Sequence, residues 1–109
     1  MSTTEVGPIS VSPGLPGGIS AVLGVTAPAV VKNGPGILAR VLVVAPGTSG
    51  NLTLNDAAST GGASASNEIL TIPFGSLAAG QTIPLEWPCA AGIVVSSVPT
   101  GGSFSVSFT

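Results

Sequence analysis

From Ser103 to Thr109 the chain alternates without a break: Phe104, Val106 and Phe108 fall on one side, and Ser103, Ser105, Ser107 and Thr109 on the other. A period of two is that of a β-strand, so this segment predicts a strand with one buried face. The same alternation sets Leu52 and Leu54 against Asn51, Thr53 and Asn55, and Ile83, Leu85 and Trp87 against Thr82, Pro84 and Glu86. Residues Ile37 to Val44 differ, being apolar on both sides except at Arg40. That pattern fits a central strand covered on both faces, or one whose outer face meets a partner, and makes this strand the first candidate interface. Runs rich in Val or Ile predict further strands at 27–32, 68–74 and 93–98.

Punctuation sets the rest. Asn33-Gly34-Pro35-Gly36 carries the Asn-Gly pair suited to a tight turn, and predicts a hairpin between the strands on either side. Residues 57–66 are small and polar and read as a mobile loop. Ser76 to Gln81, bracketed by Gly75 and Gly80, has room for one helical turn. Residues 1–18 hold Pro8, Pro13 and Pro16 with Gly7, Gly14, Gly17 and Gly18, which prevents helix and predicts an extended arm, either a disordered terminus in the isolated protein or a segment that orders on a neighbour. The expected fold is therefore all-β: a single antiparallel β-sandwich, jelly-roll or Ig-like, of about 7–8 short strands over residues 19–109, preceded by the arm at 1–18.

Composition changes this picture in one respect. Only 6% of the 109 residues are charged and 44% are hydrophobic, whereas an ordinary soluble domain is about one quarter charged. Lys32, Arg40, Glu5, Asp56, Glu68 and Glu86 are all the charges available, so the expectation is a chain that self-associates, with a trimer among the candidate states. The interface residues expected from these patterns are Val6, Pro8, Ile9, Val11, Pro13, Leu15 and Pro16 in the arm and Leu38, Arg40, Leu42 and Val44 in the central strand. No run approaches the ~20 apolar residues of a membrane-spanning helix, and residues 1–9 lack the basic start of a secretory signal, so membrane insertion is not expected and synthesis and residence inside a cell is.

The chain holds no His and no Tyr, which removes the commonest general base and metal ligand together with one alternative proton donor. Cys89 is a lone cysteine among small apolar residues, read as buried rather than nucleophilic. Asp56 stands at a strand end, where its carboxylate is expected to bond the backbone of a turn; Glu68 opens a strand, and Glu86 is expected to be solvated or paired with Lys32 or Arg40. No catalytic residue, cofactor or metal site is expected, although the carboxylates with Asn51, Asn55 or Asn67 leave a bound cation as a lesser alternative. Two basic residues at a net charge of −2 give no footprint for nucleic acid. Trp87, in phase with Ile83 and Leu85, reads as core; its alternative is a sugar-stacking platform.

Several segments in order, Ala29-Val30-Val31-Lys32-Asn33-Gly34-Pro35-Gly36, Asn51-Leu52-Thr53-Leu54-Asn55-Asp56, Leu85-Glu86-Trp87-Pro88-Cys89, Gly92-Ile93-Val94-Val95-Ser96 and the alternating Phe104 to Phe108, resemble a loose group of small β-sandwich virion proteins of tailed bacteriophages and prophages. Each segment is weakly specific, and their order carries the resemblance. It spans Ala29 to Thr109 and implies a non-enzymatic structural protein, made in the bacterial host cytoplasm and resident in the virion. The implied role is a capsid decoration or cement protein, docking on the major capsid protein or another virion protein and on copies of itself. A tail or fibre attachment module and a carbohydrate-binding module are the alternatives.

Overall fold

The structure is a computed structural model that describes residues 20–109, so the arm expected at 1–18 lies outside the described residues. Eight strands run as β1 (Ser20–Val25), β2 (Ala29–Asn33), β3 (Gly36–Ala45), β4 (Asn51–Asn55), β5 (Glu68–Pro73), β6 (Thr82–Cys89), β7 (Gly92–Ser97) and β8 (Ser103–Phe108). They form two four-stranded sheets, ordered β1-β8-β3-β6 and β2-β7-β4-β5, with every pairing between these strands antiparallel. This eight-strand, two-sheet order is that of a jelly roll, which decides between the two sandwich types the sequence left open.

The core lies between the sheets and includes the residues of β4 and β8 that alternation assigned inward. Phe104 and Val106 from β8, Val41 and Val43 from β3, Leu52 and Leu54 from β4, and Ile93 and Val95 from β7 are all buried, with Phe108 packed at the margin. Only β4 and β5 are both consecutive in sequence and paired with each other. The connection Asn33–Gly36 is therefore not the expected hairpin: β2 pairs with β7, β3 pairs with β6 and β8, and the chain crosses from one sheet to the other. Gly34, at φ 119°, turns that crossing, and its N–H bonds the Ala91 carbonyl in the β6–β7 connection at 3.0 Å. The turn chemistry is present, but each flanking strand pairs within its own sheet, with segments distant in the chain.

Three further differences have local causes. Strand β1 was not singled out by its short Ser-Ala-Val-Leu-Gly-Val pattern; it forms as an edge strand on β8 with a register break between Val22 and Val25, where Gly24 has φ 65°. The helical turn is a 3-10 turn at Phe74–Ser76, two residues before its expected start. Trp87 is not core: it is 52% exposed. The β3–β6 ladder shifts register between Leu38 and Arg40, and Glu86 there takes φ 50°, a left-handed conformation unusual for a side-chain-bearing residue. Trp87 pairs with the buried Leu38 and shares its phase with the buried Cys89, so its exposure comes from standing on β6, the edge strand of the sheet, where one flank has no neighbouring strand among the described residues.

Candidate functional site

The two sheets treat their outer faces differently. Outside β2-β7-β4-β5, residues 57–67 fold over the sheet in two 3-10 turns, Thr60–Gly62 and Ala65–Asn67, and bury Asn55 and Ala57 with Val94. No large side chain anchors this segment. A polar network does: Asn55 Nδ2 donates to the Ser64 carbonyl at 2.9 Å and to Asn67 Oδ1 at 2.8 Å, and Asn55 Oδ1 accepts from Ser96 Oγ. Asn67 Nδ2 closes the loop on the Gly62 carbonyl at 2.9 Å, while its Oδ1 also accepts from the Ser64 N–H at 3.0 Å. An amide that is 2% exposed with donor and acceptor both satisfied fixes the loop in one position, where the sequence suggested mobility. A polar depression of about 300 Å³ remains between the loop and the sheet, lined in part by Thr53, Thr60, Glu68 and Ser96.

Outside β1-β8-β3-β6 the described residues leave the sheet open. Arg40, Leu42 and Val44 of β3 stand on this face, Leu42 at 40% and Val44 at 51% exposure, and Leu23 of β1 is exposed at 75%. The hydroxyls of Ser105 and Ser107 lie between them, because Leu42 pairs with Ser105 and Arg40 with Ser107. Leu23, Arg40, Leu42, Ser105 and Ser107 line, with Ala21 and Thr82, a groove of about 340 Å³ in which Arg40 is the one charged side chain; Val44 stands on the same face outside it. The arrangement offers apolar contact, hydroxyl groups and a single guanidinium.

Of the expected interface residues, Arg40, Leu42 and Val44 share this face, and Leu38 does not. Leu38 is wholly buried in the core, because the bulge at Ala39 changes which side of the strand faces inward. Val6, Pro8, Ile9, Val11, Pro13, Leu15 and Pro16 lie outside the described residues. Leu23 and Asn55 were missed; the alternation of Ala21 and Leu23 against Val22 was the available signal for the first, and nothing local marks the second.

The remaining polar groups serve the frame. Asp56 accepts from the backbone N–H groups of Ala90 (2.9 Å), Ala91 (2.8 Å) and Gly92 (3.2 Å), so it bonds a turn as expected, but one supplied by the β6–β7 connection. Those bonds hold its carboxyl below the usual carboxylate range. Gly92 has no room for a side chain: a Cβ there would strike the Ala57 and Lys32 carbonyls. Cys89 is buried, and burial, then the nearby Asp56 charge, pushes its thiol up to about 11, which keeps it protonated and unreactive at neutral pH. Thr53 and Thr71 bond across β4 and β5 at 3.1 Å, and Thr71 donates to Glu68 at 2.8 Å. Lys32 donates to the Thr109 carbonyl at 3.1 Å, and Glu86 is exposed. Among the described residues no three His, Cys, Asp or Glu side chains gather as metal ligands would, and no helix is long and apolar enough to cross a membrane.

Comparison with protein-family models, with curated proteins and with solved structures gives no match for this chain.

Proposed function

We propose that this protein is a non-enzymatic structural component of a phage virion, a capsid decoration or cement protein that docks through the outer face of the β1-β8-β3-β6 sheet and through its N-terminal arm. The observation that carries the reading is the asymmetry of the sandwich: one outer face is partly covered by its own loop, and the other presents Leu23, Leu42 and Val44 on the face that holds Arg40. A large, charge-poor face on a chain with 6% charged residues is a surface suited to repeated docking, on a capsid lattice and on neighbouring copies. The resemblance to small virion β-sandwiches points the same way. The test is to delete the gene and heat the resulting particles: heads lacking the protein lose DNA at a lower temperature than complete heads, and heads carrying Leu42→Asp behave like the deletion. Particles that never contain the protein, or that keep full stability without it, overturn the reading.

One observation favours a second reading. Trp87 presents about half of its surface on the edge strand β6, next to Pro88, and an exposed indole is the group on which carbohydrate-binding sandwiches stack a sugar ring. Titration of Trp87 fluorescence with host cell-wall and capsular oligosaccharides checks it: saturable quenching abolished by Trp87→Ala supports sugar binding, and a flat titration removes it.

A further inference from the structure

The open face and the N-terminal segment complement each other. The groove contains one charge, Arg40, and residues 1–19 contain one charge, Glu5. The face presents an apolar row at Leu23, Leu42 and Val44; the segment alternates Ile9, Val11, Pro13 and Leu15 with Ser10, Ser12 and Gly14, so one side of it is apolar and the other small and polar. The two are joined at the rim of the groove, because the segment ends where β1 begins and Ala21 and Leu23 of β1 form one wall. Pro16-Gly17-Gly18 at that junction is a strong turn signal.

Reach is sufficient. Arg40 lies two strands from β1 in the order β1-β8-β3, or roughly 10 Å at the usual strand spacing. The residues between Glu5 and Ser20 span up to about 50 Å when extended. A segment tethered this close meets its own face at an effective concentration on the order of millimolar, above that of any second copy in dilute solution. The loop at 57–67 shows the chain covering part of the opposite sheet with a segment of its own.

We infer that in the free protein residues 5–15 fold back over the outer face of the chain's own β1-β8-β3-β6 sheet, with Ile9, Val11 and Leu15 over Leu23, Leu42 and Val44 and Glu5 against Arg40. The occupant of the groove is then the chain's own N-terminal segment, which must leave before the face can meet a partner. This inference concerns the isolated chain and stands whether or not the protein belongs to a virion.

Paramagnetic relaxation in the full-length chain tests it. A nitroxide is attached at Ser10→Cys, the parent chain with its buried Cys89 serving as the labelling blank, and methyl signals of Leu23, Leu42, Val44 and Val30 are recorded. The expected result is loss of intensity at Leu23, Leu42 and Val44 and none at Val30, which is exposed on the other sheet; the loss persists on dilution. It is absent when a spin-labelled chain without isotope is mixed with an isotope-labelled chain without the spin label. Arg40→Glu weakens the effect and Glu5→Lys combined with Arg40→Glu restores it. Loss in the mixed sample overturns the inference by making a second copy the occupant, and intact Leu42 and Val44 signals, or equal loss at Val30, overturn it by leaving the face uncovered. A failure of the charge swap to restore the effect overturns the Glu5–Arg40 register.

Discussion

At Asp56 a single carboxylate holds three backbone N–H groups of the β6–β7 connection, and so ties the end of β4 to the place where the chain crosses between sheets. Asp56→Asn keeps the shape and loses the charge-assisted bonds, with an expected loss of about 1–2 kcal/mol after allowing for solvent exposure, read by urea unfolding at pH 7. Because the folded carboxyl titrates below the ordinary aspartate value of 3.8, its stabilisation is fully present above that value and is lost as pH falls through the lower folded one. The gap between parent and Asp56→Asn should therefore close in acid, and a gap that stays constant from pH 7 to below the folded value contradicts this account. Asn55 carries the other dependence: Asn55→Ala removes the bonds to the Ser64 carbonyl, Asn67 Oδ1 and Ser96 Oγ, an expected loss of about 2–3 kcal/mol together with faster amide exchange across residues 57–67.

Strand β3 shows why face assignment decides what a substitution does. Leu42→Asp and Leu38→Ala alter residues four apart in one strand, yet Leu42 is on the open face and Leu38 is wholly buried. The first should change stability by less than about 0.5 kcal/mol while abolishing docking, and the second should cost about 2–5 kcal/mol. Thermal unfolding beside a co-sedimentation assay with assembled heads separates the two effects. Strict alternation made β8 and β4 legible to the residue, and the Ile37 to Val44 run was legible as a strand with two apolar faces. The bulge between β3 and β6 was not legible, because it arises from register between segments more than 40 residues apart, and it moved Leu38 from its expected side; nor was the edge position of β6, which leaves Trp87 half exposed. Acrylamide quenching checks the outcome at Trp87: the native indole should be strongly quenched, as a half-exposed ring is.

At the scale of the whole molecule, a jelly roll postpones most of its pairing until distant segments meet: β1 waits for β8, and β2 for β7. Loop closure must precede the gain from those contacts, so refolding after dilution from urea should take milliseconds to seconds, the range of all-β domains with nonlocal pairing. A microsecond phase carrying the full fluorescence change would contradict this order of events. The same topology gives the sandwich its unequal outer faces, since the long β4–β5 connection can fold back over only the sheet that contains both strands.

What the sequence determined by itself was local: a strand period, turn residues, a near absence of charge, and the lack of His and Tyr. Those properties depend on neighbours within a few residues, and they were enough for an all-β sandwich and for placing Arg40, Leu42 and Val44 together. The tertiary structure decided which segments pair, and through that everything nonlocal: the crossing at Asn33–Gly36 in place of a hairpin, the bulge that withdraws Leu38, the edge position of β6 that leaves Trp87 half exposed, and the buried Asn55 that fastens the loop. Each depends on contacts between segments far apart in the chain, which compete for the same backbone hydrogen bonds and the same core volume, and that competition is resolved only in the folded molecule.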